Sequence, residues 1–268
     1  MKKKSILVAA IAVMLVAALV VGGTLAYFTD TKGAKNTFTV GNVDIDLNEP
    51  SWNKDENHML YPGASYEKDP TITVKEGSQD AYVFLKLDLN KYVSLINLMG
   101  VDAYKNVDAL KGQTYPGFGQ FVNKLAHDNA LRATVLDRWF VGVNHADWKV
   151  MNTEQIETAV RGAANGTNPK NLVVVLGYQR DGGVVKAGTE IKFMEKFGMP
   201  STVTASMFEG EDAYYVGDGE NRHSASNFNT TGTGDFKMIF TAYAIQASEI
   251  NGLDAAYTAL GGYDAFVK

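Results

Sequence analysis

The sequence predicts an antiparallel β-sandwich with a helical insertion in its middle. Three observations predict it. Strict apolar/polar alternation marks short strands near both ends, as in Val43-Asp44-Ile45-Asp46-Leu47 and Ala81–Leu89. Glycine- and proline-bearing turns separate those strands. Spacings of three, four and seven between apolar residues are confined to the middle, with no regular strand–helix alternation that would build a parallel sheet.

The first 26 residues stand apart from that domain. Lys2, Lys3 and Lys4 form a positive start, Ile6–Val21 is a run of 16 uncharged apolar residues, and Gly22-Gly23 ends it. Thr24 and Ala26 then put small side chains at the −3 and −1 positions of a cleavage site before Tyr27. This three-part pattern is that of a secretory signal peptide. The apolar run is slightly short for a retained anchor across a hydrocarbon core of roughly 30 Å. The expectation is residues 1–26 as signal and 27–268 as one domain, in the membrane only before cleavage.

In order along the mature chain, Phe38, Val40, Val43, Ile45 and Leu47 carry the first strand pattern, with a kink at Gly41-Asn42. Residues 48–70, with Pro50, Pro62 and Pro70, read as a long loop. Thr71–Val74 alternates again. Ala81–Leu89 is the clearest strand, with Val83, Leu85, Leu87 and Leu89 on the core face. A helical insertion follows at about 90–138, and Phe118–Asp137 reads as one helix or two short ones. Trp139–Val143 returns to strand, with Trp148–Val150 as a candidate partner. Leu172–Gln179, Asp181-Gly182-Gly183 and Val184-Val185 give a hairpin signal. Thr202–Thr204 reads as a short strand and Glu209–Thr233 as a polar loop. Phe236–Gln246 is the last strand, and Leu253–Leu260 a short C-terminal helix.

Composition narrows the function classes. The 268 residues contain no cysteine, so disulfides, thiolate metal sites and cysteine nucleophiles are excluded. The 25 basic and 30 acidic residues give a charge of −5. Removing residues 1–26 takes three lysines and no acid, leaving 22 basic against 30 acidic residues, a charge of −8. Such a surface has no excess of cations for phosphates, so nucleic acid is not an expected partner. Tyrosine and phenylalanine number 13 each, enough to fill a sandwich core and to serve contacts between subunits.

Catalytic patterns are missing. His58, His127, His145 and His223 include no pair at the spacing of His-Glu-x-x-His, which puts two zinc ligands one helical turn apart. Gly-x-Ser-x-Gly and the phosphate-binding glycine loop do not occur. Asp88, Asp102, Asp108 and Glu195 lack the spacing of a paired-carboxylate hydrolase. Glu209, Glu211, Asp212, Asp218 and Glu220 form an acidic stretch that does not match a calcium loop. No cofactor or metal is expected, and no Leu-Pro-x-Thr-Gly wall-anchoring signal is present.

The junction residues carry a resemblance. Gly22–Asp30 runs from the cleavage site into Phe-Thr-Asp, then into Lys35-Asn36-Thr37-Phe38-Thr39-Val40-Gly41-Asn42-Val43-Asp44-Ile45-Asp46-Leu47. Together with Tyr61-Pro62-Gly63, Lys68–Val74, Asp80–Val83 and Phe240–Ala247, this resembles the TasA/camelysin family of Gram-positive bacteria. The resemblance is good over residues 1–90 and 235–260. It implies a jelly-roll sandwich, processing by a SipW-type signal peptidase, secretion to the matrix or cell surface, and assembly into biofilm matrix fibres. It further implies that Tyr27, Phe28, Thr29, Asp30, Thr31, Lys32, Gly33, Ala34 and Lys35 act as a donor strand in a head-to-tail homopolymer. Other matrix or surface proteins are further candidate partners. A non-polymerising surface or accessory protein, and a camelysin-type surface metalloprotease, are the other readings of the same fold. The absent zinc motif weighs against the protease.

Overall fold

The structure is a computed structural model that describes residues 29–33, 36–38, 42–52, 61–114, 116, 118–164, 171–204, 215–216, 221–222 and 236–267. Its architecture is antiparallel β with helices. The strands are β1 (Thr29–Gly33), β2 (Asn36–Phe38), β3 (Ile45–Asn48), β4 (Ser65–Glu67), β5 (Thr71–Val74) and β6 (Ala81–Asn90). Three helices follow, α1 (Tyr92–Asn106), α2 (Phe118–His127) and α3 (Asn129–Leu136). Next come β7 (Phe140–Val141), β8 (Trp148–Val150), α4 (Thr153–Ala164), β9 (Asn171–Tyr178), β10 (Val184–Val185), β11 (Glu190–Lys192) and β12 (Lys196–Gly198). The chain closes with β13 (Tyr215–Val216), β14 (Asn221–Arg222), β15 (Met238–Gln246) and α5 (Leu253–Ala259).

The large sheet runs β2-β1-β15-β6-β9-β8, with β10 also on β6. Two three-stranded sheets, β11-β5-β3 and β4-β12-β7, complete the main body, and β13 and β14 form a separate pair. Strand β6 is the spine. It pairs with β15 over Met238↔Leu89 to Gln246↔Ala81 and with β9 over Phe84↔Gly177 to Asn90↔Asn171.

The alternation read from the sequence places Val83, Leu85, Leu87 and Leu89 in the main core, as expected. They meet α1, α2 and the small sheets there, with Phe240, Ala242 and Ala244 of β15 beside them. The opposite face is also closed. Tyr82 and Phe84 join Val175, Tyr243, Ile245, Leu253, Ala256 and Phe266 in a second core beneath α5. The ring of Phe266 lies 4.4 Å from Tyr243 and 6.1 Å from Phe84, centroid to centroid. Gly177 allows this approach, because a Cβ there would sit 2.8 Å from the Leu253 side chain.

Several local readings change in three dimensions. Val184-Val185 does not fold back on β9. Both strands pair antiparallel to β6, Gly177 with Phe84 and Val184 with Tyr82. Residues 179–183 therefore make an excursion and the chain resumes its direction. Asp181 (φ 52°), Gly182 and Gly183 (both φ 84°) supply the left-handed backbone for it. Trp148–Val150 pairs with β9, not with the strand after Trp139, which pairs with β12. Thr202–Thr204 is a turn without strand pairing, and the 48–70 loop contains β4. Helix α4, absent from the sequence reading, adds a further helix after the expected insertion.

Helix α1 is buried almost all round, from Tyr92 to Tyr104. That is the pattern of a helix enclosed by neighbours and not one lying on a surface. Asp128 caps α3, accepting from the Leu131 N–H at 2.9 Å.

Leu85 is fully buried, whereas Lys86 keeps its amine near Asp88 at the partly open surface. Leu85→Ala is expected to cost about 2–5 kcal/mol, and Lys86→Ala under about 1 kcal/mol. Urea midpoints of the two variants check this, and equal losses would contradict the face assignment.

The second core makes an alkaline prediction. Burial raises the pKa of Tyr243, Tyr257 and Tyr263, the last two with added repulsion from Asp264. Each folded-state phenol holds its proton more tightly than the unfolded one. Their contribution to stability is therefore complete below about pH 10 and is lost as pH rises past that value through the folded pKa values. The Tyr257 hydroxyl is buried with no hydrogen-bond partner. Tyr257→Phe should match or exceed the parent in stability at pH 7, by up to roughly 1–2 kcal/mol. It should also soften the alkaline loss, measured by thermal melts between pH 8 and 11.

Candidate functional site

The two ends of the large sheet differ, and the difference arises from a few residues. At the β8 end, β9 meets a strand only at Trp148↔Tyr178, Lys149↔Gly177 and Val150↔Leu176. Beyond that, the chain turns into α4, and the Asn152 side chain takes the place of a strand. Its Nδ2 donates to Val173 O at 2.8 Å, and its Oδ1 accepts from Val175 N at 2.9 Å. Met151 N donates to Val175 O at 2.8 Å. Asn152 is 1% exposed. These are the groups another strand would use, so the stretch of β9 beyond β8 is closed to a further strand.

At the other end, β1 lies on β15, with Thr29↔Ile245, Asp30↔Ala244, Thr31↔Tyr243, Lys32↔Ala242 and Gly33↔Thr241. Strand β2 covers β1 over three pairs, from Thr31↔Phe38 to Gly33↔Asn36. Of the segment expected to act as a donor, Thr29–Gly33 is thus a strand on its own chain's β15. Tyr27, Phe28, Ala34 and Lys35 lie outside the described residues, as do Thr24 and Ala26 of the cleavage site. The sequence Thr-Asp-Thr-Lys-Gly has no large apolar residue, so the backbone ladder is the main bond that such a strand can offer.

Among the described residues, the titratable groups do not converge on a reactive centre. The best-built polar cluster is structural. Asp102 of α1, fully buried, accepts from Arg138 Nε at 2.7 Å and Nη2 at 2.9 Å, from Thr202 Oγ1 at 2.6 Å and from Asn106 Nδ2 at 2.9 Å. It ties α1 to the residues after α3 and to the 202 turn. Oδ1 takes three of these bonds and Oδ2 one, so the carboxylate is committed to holding the fold together.

His145 Nε2 lies 2.8 Å from Asp137 Oδ1, and His127 Nδ1 lies 2.8 Å from Asn123 O. His58 and His223 lie outside the described residues, as does the acidic stretch from Glu209 to Glu220. Among the described residues, no group of three or more histidines and carboxylates is placed to hold a metal ion. No helix among them is long and apolar enough to cross a membrane. Asn152 was invisible as a site in the sequence, because a lone asparagine before a helix reads as an ordinary cap.

An antiparallel β domain with helices packed against it, its large sheet ending at β8 on one side and at the β1–β2 pair on the other, is the class of protein defined here. Residues 1–94 match the protein family described as Camelysin metallo-endopeptidase. This is the family that the junction residues resemble, and the match runs from residue 1 past the end of β6. No curated protein and no solved structure matches the chain. The metal implied by the family's description finds no fitting ligand set among the described residues, so no hydrolytic step is derived through one.

Asn152→Ala would leave Val173 O and Val175 N without partners in a buried position. A loss of roughly 2–4 kcal/mol is expected. Guanidinium unfolding gives the size, and hydrogen exchange at the Val175 amide locates it.

Proposed function

We propose that this chain is an exported structural protein that polymerises head to tail into extracellular fibres of a matrix or cell surface. Cleavage after Ala26 by a SipW-type peptidase releases the segment from Tyr27 to Lys35, which a neighbouring subunit then accepts. The jelly-roll reading of the sandwich belongs to the same proposal. The large antiparallel sheet and the two three-stranded sheets that share one core with it support that reading.

The observation that carries the reading is the pairing of Thr29–Gly33 with β15. The strand is the first of the described residues and its sequence offers little but backbone hydrogen bonds. A second copy's Thr29–Gly33 offers β15 the same ladder, so exchange swaps one set of bonds for an equal one. The intramolecular strand has the advantage of an effective concentration on the order of millimolar. Exchange therefore wins only where subunits are crowded, as at the surface from which they are released. Asn152 closes the stretch of β9 beyond β8 to the same addition.

A second reading follows from the family's description as a metallo-endopeptidase. Casein cleavage that a chelator abolishes would support it. Against it stand the missing zinc motif and the absence of a metal cluster among the described residues.

Deleting Tyr27–Lys35 from the mature chain should leave a folded protein that stays monomeric where the full mature chain forms filaments. Size-exclusion chromatography and electron microscopy of the two at matched high concentration decide it. Filaments of the same form from the truncated chain would sink the exchange mechanism. N-terminal sequencing of the exported protein should begin at Tyr27.

A further inference from the structure

We propose that the cleft between the helices and the inner face of the large sheet binds an aliphatic carboxylate of about eight to ten carbons. The cleft has a volume of about 260 Å³ and is lined by α1, α2, α3 and α4 on one side and by β6, β8 and β9 on the other. Protein interiors pack like organic crystals, with few voids larger than a water molecule. Here Ile96, Val122, Leu125, Leu136, Ile156 and Val174 are only half-buried, though they pack against a core that is otherwise closed. Their open surface faces a space with too few polar groups to hold ordered water. An apolar ligand supplies the contacts that this lining lacks.

Size and charge narrow the ligand. A cavity of about 150 Å³ accepts benzene, with six carbons, so 260 Å³ scales to about ten non-hydrogen atoms. The polar side chains in the lining are Arg132, His145 and Thr153, each partly open to solvent, and no carboxylate joins them. The Arg132 guanidinium is held by neutral oxygens, Leu125 O at 3.1 Å, Ala126 O at 3.3 Å and Asn129 Oδ1 at 2.7 Å. The nearby acids are committed elsewhere. Asp128 Oδ1 accepts from Leu131 N, and Asp137 Oδ1 meets His145. In a mature chain of charge −8, a positioned guanidinium with no carboxylate partner among the described residues, beside an apolar cleft, matches an anionic head on an aliphatic tail.

The test uses the mature chain, with octanoate and 1-octanol as probes, by titration calorimetry and by the fluorescence of Trp148 in the cleft wall. Octanoate should bind saturably, roughly tenfold or more tighter than 1-octanol, the gain of a charge-assisted contact. Arg132→Met should remove that preference and leave 1-octanol affinity unchanged, and Arg132→Lys should keep most of it. Ala126→Phe, which fills the cleft, should abolish binding of both probes, with circular dichroism and melting temperature showing that the fold is kept. A variant that melts early is replaced by Val174→Phe, which fills the cleft from the sheet side. No saturable binding of either probe below about 1 mM would overturn the proposal. So would equal affinity for the two probes, or octanoate binding that survives the filled cleft.

Discussion

Strand β6 has no solvent side in its first half, and the rest of the fold is arranged around that constraint. A strand at the middle of a sheet must satisfy ladders on both edges and cover both faces. Strands β15 and β9 supply the edges. The main core covers Val83, Leu85 and Leu87, and α5 with Phe266 covers Tyr82 and Phe84. Burial of apolar surface at about 25 cal/mol per Å² makes the two-sided burial of β6 the dominant favourable term here. In a chain without cysteine, no covalent bridge can substitute for it.

The helical segment depends on the same strand through a polar knot. Helix α1 follows β6 almost directly and is nearly all buried, so Asp102 is carried into the interior with it. A buried carboxylate is costly unless every lone pair is engaged. Arg138, Thr202 and Asn106 supply four hydrogen bonds to it, and in doing so fix where the chain returns after α3 and where the 202 turn sits. The apolar cleft lies between the helices and the inner face of the large sheet, where the two do not interdigitate fully.

The two sheet edges show how a few backbone groups decide whether a domain can extend. At one, Asn152 borrows the bonds of Val173 and Val175 and leaves nothing for another strand. At the other, the first strand in the described chain holds on to β15 through a five-residue ladder, with β2 outside it over three pairs. Terminal strands with polar sequences can detach without disturbing the hydrophobic core. In the proposed function, a signal peptide in front of such a strand would couple export to its release and so join the processing and assembly halves of the proposal.

The sequence by itself determined the alternating strands and the core face of Ala81–Leu89, because period-2 patterning is local and survives without context. It also determined the camelysin-type start of the chain, through its junction residues, but left Phe118–Asp137 open as one helix or two, and the structure places the break at the Asp128 cap. It did not determine partners. Trp148–Val150 pairs with β9, and Val184-Val185 extends along β6, because hydrogen-bond partners depend on which edge is free after the sheet assembles. Nor could it show that the Tyr82 and Phe84 face is buried. That required α5, some 170 residues away, to dock on a glycine-lined gap. Asn152 and the cleft at Arg132 belong wholly to tertiary structure. Both arise where elements distant in sequence meet imperfectly, and no local pattern encodes a gap between them.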